Sequence, residues 1–270
     1  MSQPNDALDL GAYLARVEYT GRLEPTENTL ADLHLAHATH IPFENIDVLL
    51  GRPPRLDMES LQAKLVAGRR GGYCFEQNLL FSAVLAQIGF RVTRLAARVL
   101  YRATGKLPRT HMLMRVDLPQ GPWLADVGFG AEGLLHPLPL VDGRETRQFA
   151  WTYRVLRHHG MWRLQSKWPE GWADLYEFTE DPQEAVDYEP ANYFVATHHT
   201  SPFTRTLTTQ RPTPDARWVL RNRDLITDRG NGQLSTQMVS DTDLLGTLDR
   251  VFGLRLPADT VLPNHPWGQR

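Results

Sequence analysis

Arg69-Arg70-Gly71-Gly72-Tyr73-Cys74-Phe75-Glu76-Gln77-Asn78 carries the only cysteine of the 270-residue chain. Two glycines precede the cysteine, and an apolar run (Leu79, Leu80, Phe81, Val84, Leu85, Ile88) follows it up to Gly89. Phe75, Leu79, Ala83 and Ala86 share one stripe at helical spacing, and Leu80, Val84 and Ile88 share another. This pattern predicts a loop that delivers Cys74 to the first turn of a buried helix, with Gly89 as the C-terminal stop. The first N–H groups of a helix lack partners, and the peptide dipoles make that end electropositive. A thiol placed there ionises more easily, and the thiolate is the nucleophile. The competing reading is a buried, inert cysteine.

The rest of the chain bounds the setting. A length of 270 residues allows one large domain or two to three small ones. The 41% hydrophobic and 22% charged content is that of an ordinary globular protein. A net charge of −2 argues against nucleic-acid and membrane-surface partners. One cysteine excludes an internal disulfide framework and a Cys-rich zinc site, and it fits a reducing compartment. Residues Met1 to Leu14 show no basic and apolar leader pattern, so a cytoplasmic location is expected. No run of about 18 apolar residues suggests a spanning helix.

Residues 1–90 read as helical. Leu10, Tyr13, Leu14 and Val17 suggest one amphipathic helix, and Thr26 to Thr39 suggests a second that stops before Pro42. Asp57 caps a third, Met58 to Ala67. After Gly89 the texture becomes β-like: Arg91–Tyr101, Thr110–Leu118 and Pro122–Val127, with Pro119-Gln120-Gly121-Pro122 as a turn. Phe149–Arg157, Met161–Ser166 and Ala173–Phe178 continue the pattern, which suggests a small antiparallel barrel or sandwich. From about residue 196, the strands Arg217–Arg221 and Asp224–Thr227 mix with a helix, Thr242–Phe252. The soft boundaries divide the chain at 1–90, 91–195 and 196–270.

A catalytic thiol needs a base and a group that orients the base. His111 opens one strand and Asp126 lies in the next. With a four-residue turn, Asp126 falls opposite Arg115, about 13 Å along the strand from His111. A bulge, another register or a strong bend must bring them together. Glu44 and Arg70 can form a buried pair that fixes the cysteine loop. The alternative is two unrelated surface charges. Gly128-Phe129-Gly130-Ala131-Glu132-Gly133 matches a dinucleotide fingerprint, but Pro137 and Pro139 forbid the helix that must follow. An anion-binding nest and a plain flexible turn remain as readings of that loop. His34, His37 and His40 lack the carboxylate pattern of a zinc enzyme, so packing and hydrogen-bonding roles are favoured and no metal site is expected. His198 and His199 point apart in an extended chain.

Together, Leu33-His34, His37, Ile41-Pro42-Phe43-Glu44-Asn45, the segment Arg70 to Asn78, Thr110-His111 and Ala125-Asp126-Val127-Gly128-Phe129-Gly130 resemble the arylamine N-acetyltransferases. Weaker similarity continues through Asn192-Tyr193 and Ser201-Pro202-Phe203. The resemblance implies an α+β fold: an N-terminal helical bundle, a central antiparallel β-barrel and a C-terminal α/β lid, with a papain- or transglutaminase-like Cys-His-Asp core. It implies Cys74, His111 and Asp126 as the catalytic triad, Phe43, Phe129 and Gly130 as substrate contacts, and Glu44 and Arg70 as a structural ion pair. The implied reaction is ping-pong. Acetyl-CoA, the co-substrate, acylates the cysteine, and an arylamine or hydrazine then takes the acetyl group. An amide synthase or thiol hydrolase could use the same triad. The acceptor's identity and homo-oligomer formation are left open.

Overall fold

The computed structural model describes residues 8–230 and 232–263. The N-terminal part holds α1 (Leu10–Arg16), α2 (Glu27–His40), the two-residue strand β1 (Phe43–Glu44), α3 (Ile46–Leu49), α4 (Met58–Leu61) and α5 (Cys74–Ile88). Thr26 caps α2 by accepting from the Thr29 N–H, and Pro42 prevents the helix from continuing. Asp57 caps α4 through the Ser60 N–H. That helix runs on as a π-helical turn, Gln62–Ala67, which ends at Gly68. Helix α5 is buried along most of its length and ends at Gly89, in the left-handed conformation that glycine adopts without strain.

Eight antiparallel strands follow: β2 (Arg91–Val99), β3 (Arg109–Leu118), β4 (Gly121–Ala125), β5 (Leu138–Pro139), β6 (Thr146–Gln148), β7 (Trp151–His158), β8 (Met161–Trp168) and β9 (Gly171–Phe178). Their spatial order is β5-β4-β3-β2-β9-β8-β7-β6. Leu113, Leu124 and Leu138 from one half of this sheet pack in the same core as Tyr153, Leu164 and Phe178 from the other half. Strands at opposite ends of the order share one interior, so the sheet curls into a barrel-like form. Alternation along β3 sends Leu113 into that interior and Met114 and Val116 outward against Leu80, Phe81 and Val84 of α5.

The chain then forms α6 (Glu189–Thr197), β10 (Thr208–Pro212), β11 (Arg217–Arg221), β12 (Asp224–Asp228), β13 (Leu234–Met238) and α7 (Leu244–Phe252). The second sheet has the order β1-β10-β11-β12-β13, so its first strand comes from the helical part. Phe43 pairs with Gln210 and Glu44 with Thr209. The fold is therefore α+β, with helices, a barrel-like sheet and a smaller C-terminal α/β layer. Among the described residues, no helix is long and apolar enough to cross a membrane.

One local expectation changes. The turn between β3 and β4 holds Pro119 and Gln120 only, because Leu118 already pairs with Gly121. Gly121 has φ of +127°, so it closes the hairpin where another residue would be strained. The segment leading out of the barrel at Asp187–Asn192 is helical, entering α6 with Pro190 in its first turn.

Candidate active site

The two glycines before Cys74 are required by close approach. A Cβ on Gly71 would lie 2.0 Å from the Pro42 carbonyl oxygen. The Glu44 N–H donates to the Gly72 carbonyl and the Gly72 N–H to the Pro42 carbonyl, so the segment carrying Phe43 and Glu44 is laced to the cysteine loop. The Glu76 carboxylate accepts from the Tyr73 N–H at 3.0 Å, and the Gln77 amide donates to the Gly72 carbonyl at 2.8 Å. These contacts fix Cys74 as the first residue of α5, as the sequence pattern predicts. The Cys74 Sγ lies 3.6 Å from the Thr110 carbonyl oxygen.

His111 and Asp126 meet. His111 Nε2 is 2.7 Å from Asp126 Oδ2, and both residues are buried. The two-residue turn supplies the missing register. Met114 pairs with Ala125, so continuing the ladder would set Asp126 beside Leu113 rather than Arg115. That shortens the offset to about 7 Å along the strand. Strand β4 ends at Ala125, which frees Asp126 to turn. On the other side of β3, Ala97 pairs with His111 but Arg98 pairs with Arg109. Thr110 is bulged out of the ladder, and its carbonyl faces the sulfur.

Asp126 is held from several directions. Its Oδ1 accepts from Asn78 Nδ2 at 2.9 Å and from the Gly128 N–H at 2.9 Å. Asn78 also donates to the Met112 carbonyl and accepts from the Val127 N–H. The Asp126 N–H donates to His34 Nε2 at 3.1 Å, while His34 Nδ1 meets the Leu135 carbonyl at 3.1 Å. Nδ1 must then carry the proton and Nε2 must be bare, so His34 is a neutral imidazole. Burial, the dominant influence, holds its pKa down at about 4. Gly128 passes so close to α5 that a Cβ there would lie 2.7 Å from the Cys74 Cα and 2.7 Å from Asn78 Nδ2.

The charges are set by this geometry. Burial alone would lower the His111 pKa. The Asp126 carboxylate outweighs it through charge and hydrogen bond, Cys74 adds to the same side, and the pKa rises to about 10. Burial would raise the Asp126 pKa, but His111, Asn78 and the Gly128 N–H hold it below the usual carboxylate value. With Nε2 engaged by Asp126, the remaining ring nitrogen is the one available to a sulfur.

The other sequence-selected residues are placed as follows. Arg70 donates from Nε and Nη2 to Glu44 Oε1 at 2.9 and 2.6 Å, and Glu44 Oε2 accepts from the Ile46 N–H at 2.7 Å. Asp47, Lys64 and Glu76 extend this pair, with Lys64 Nζ 2.8 Å from Asp47 and 2.7 Å from Glu76. Cys74 and His111 open on a cavity of about 300 Å³ whose walls include Phe43, Phe129 and Phe203. The Phe129 ring stands edge-on to His111 at 5.2 Å. Gly130 is not in that wall. It has φ of +91°, and a Cβ there would lie 2.5 Å from Gln210 Oε1. The N–H groups of Gly128, Ala131 and Gly133 are taken by Asp126, Gln210 and the Gly130 carbonyl. Three of the six N–H groups of the loop are thus taken within the protein. His37 bonds the Tyr13 hydroxyl at 2.9 Å, a packing and hydrogen-bonding role. Among the described residues, no cluster of three or more His, Cys, Asp or Glu side chains could hold a metal. Sequence reasoning misses Asn78, which sits four residues after Cys74 on the same helix face, and Glu132, Arg217 and Tyr101, which come together only in the fold.

The chain is similar to known proteins along most of its length. Residues 26–261 match the model of an N-acetyltransferase family. The chain is 40% identical over 256 residues to the arylamine N-acetyltransferase of Mycobacterium tuberculosis strain H37Rv, covering 93% of this chain and 90% of that protein. It is similar to the crystal structure of the Nocardia farcinica enzyme, with a TM-score of 0.89, 41% identity, and coverage of 94% of this chain and 92% of that one. The Mycobacterium marinum arylamine N-acetyltransferase in complex with CoA matches with a TM-score of 0.86 and 39% identity, covering 91% of this chain and 92% of that one. On these matches the chain belongs to the arylamine N-acetyltransferase family of acyltransferases.

Proposed function

We propose that this protein acetylates arylamines and hydrazines by a ping-pong reaction in which acetyl-CoA, the co-substrate, first acetylates Cys74. The observation that carries the reading is His111, paired with Asp126 on one nitrogen and lining one cavity with Cys74. In the first half-reaction the Cys74 sulfur attacks the thioester carbonyl of acetyl-CoA. The carbon–sulfur bond to CoA breaks, and His111 gives its proton to the leaving CoA sulfur. In the second half-reaction the amine nitrogen attacks the acetyl-cysteine carbonyl, His111 takes the proton lost by the amine, and Cys74 leaves as thiolate. Asp126 keeps the imidazole in its tautomer and orientation. The free N–H groups at the start of α5 stabilise the negative oxygen of each tetrahedral intermediate.

The same reading gives each part of the chain a task. Residues 1–90 supply the nucleophile, 91–195 the base and its carboxylate, and the part that begins at residue 196 covers the cavity with residues between Pro202 and Leu234. Phe43 and Phe129 bound the acceptor, and Gly130 shapes the wall behind them. The fit of a relative to CoA supports the acyl donor.

Incubation with acetyl-CoA followed by intact-mass measurement tests this reading. One acetyl group per chain is expected, lost on addition of an arylamine with formation of the amide. Rapid CoA release without any amine would favour a thiol hydrolase. No acetyl-protein in the wild type would overturn the covalent route.

A further inference from the structure

The cavity has a second end, beyond Phe129. That ring lies 5.2 Å from His111 on one side and 6.5 Å from the Tyr101 ring on the other. Tyr101, Glu132, Arg217 and Asp228 all border the same cavity as Cys74 and His111. Glu132 belongs to the Gly128–Gly133 loop, and the reaction above gives it no task.

The two oxygens of Glu132 are unequal. Oε2 accepts from Arg217 Nη1 at 2.9 Å. Among the described residues, Oε1 meets only the Tyr101 hydroxyl, at 3.4 Å, well beyond the usual O–H···O distance of about 2.7–2.8 Å. Arg217 is 3% exposed and is engaged by other partners. Its guanidinium stacks over the Trp151 ring at 4.3 Å, hydrogen-bonds the Tyr153 hydroxyl, and lies 3.6 Å from Asp228 Oδ2. Asp228 is fixed in turn by the Trp151 indole N–H at 3.0 Å. The carboxylate is therefore clamped on one side, with its other oxygen short of donors. Burial, with Asp228 on the same side, raises the Glu132 pKa above the usual carboxylate value, while Arg217 and Arg102, on the same wall, oppose that rise.

We propose that Glu132 selects the acceptor, its Oε1 taking a hydrogen bond from an N–H or O–H group at the end of the arylamine remote from the reacting nitrogen. An aniline lying along Phe129 with its nitrogen at Cys74 directs its para substituent towards Tyr101 and Glu132. A carboxylate only accepts hydrogen bonds, so it rewards a donor there and opposes an acceptor or an anion. The proposal rests on the reading of Cys74 as the acetyl carrier.

The test compares kcat/KM for 4-aminophenol, 4-methoxyaniline and 4-aminobenzoate in the wild type and Glu132→Gln. The first two amines have similar nucleophilicity and differ in the donor. The wild type is expected to favour 4-aminophenol over 4-methoxyaniline by about tenfold or more. Arg217 can only donate, so in Glu132→Gln it will hold the carbonyl oxygen of the new side-chain amide and turn the NH2 towards the cavity. The ratio in Glu132→Gln should then fall to about one or below, with 4-aminobenzoate gaining. A merely structural role would slow all three acceptors by a common factor, and an unchanged ratio overturns the proposal. Should Glu132→Gln fail to fold, Tyr101→Phe removes the competing hydroxyl. The 4-aminophenol preference is expected to rise, and an unchanged or reduced preference counts against the proposal. Intact-mass measurement after acetyl-CoA separates the two readings. Failure of wild-type acetylation overturns the carrier reading and this one with it, whereas normal acetylation with an unmoved acceptor ratio overturns only the role of Glu132.

Discussion

Asn78 Nδ2 donates to Asp126 Oδ1 at 2.9 Å from a position one helical turn after Cys74. The helix that presents the sulfur thus also clamps the carboxylate that orients the imidazole. Asn78→Ala would leave the Val127 N–H and the Met112 carbonyl without this partner, at about 1–3 kcal/mol for each orphaned buried group. It should lower stability in denaturant titration. It should also slow Cys74 acetylation about a hundredfold, because a small displacement of reacting groups costs that much. Wild-type acetylation kinetics in a destabilised Asn78→Ala would separate the clamp from the chemistry and refute the second half of this expectation.

Cys74→Ser should abolish acetyl transfer and leave the melting temperature close to that of the wild type. The sulfur makes a long contact to the Thr110 carbonyl, which a hydroxyl can replace. An alkoxide is far harder to form than a thiolate. Intact mass after acetyl-CoA, with a melting curve on the same sample, decides it: acetylation of the Cys74→Ser protein would be incompatible with the role assigned to the thiol.

Arg70→Ala should destabilise the fold by about 3 kcal/mol, the lower end of the range for breaking a buried pair. Glu44 is fully buried, and Arg70 supplies two of its hydrogen bonds. Lys64, whose charge also acts within this network, softens the loss. Glu44→Gln combined with Arg70→Ala should recover part of it, since no unpaired charge then stays inside. Equal midpoints for Arg70→Ala and the wild type in urea would show that the pair contributes nothing.

The residues that can be read from the chain are those whose signal is local. Cys74 at a helix start follows from the glycine pair and the apolar stripe after it, and Asp57 and Thr26 announce their helices through capping. The meeting of His111 and Asp126 is only half visible. Pro119-Gln120-Gly121-Pro122 has the composition of a four-residue turn, but Gly121 at positive φ and Pro122 both enter β4, which shifts the register by two. The bulge at Thr110 has no sequence mark, because it arises from the pairing of β3 with β2 and not from a local turn signal. Strand β1 is too short to show alternation and exists because β10 offers it an edge. Glu132 and Arg217 are brought together by folding across 85 positions, and no local pattern links them.

The last prediction uses the His111–Asp126 pair to set a pH dependence. The folded His111 pKa is raised from 6.5 to about 10, so its contribution to stability is complete below the ordinary imidazole range and is lost as pH rises through about 10. Asp126 is lowered, so its contribution is present above the ordinary carboxylate value and is lost as pH falls through the lower folded value. The excess stability of the wild type over Asp126→Asn should therefore be greatest near pH 6 and shrink towards about pH 10. The same charge bears on the sulfur, because an imidazolium beside a thiol speeds its reaction as a nucleophile. In Asp126→Asn the buried imidazole loses the carboxylate that keeps it charged. Iodoacetamide at pH 7 should therefore alkylate Cys74 about tenfold more slowly in Asp126→Asn than in the wild type. Substitution of His111 by Ala should give the same slow rate, because it removes the charge at its source. Equal rates in the wild type and both variants would mean that the imidazole does not activate this cysteine, and the assignment of His111 as its base would fall.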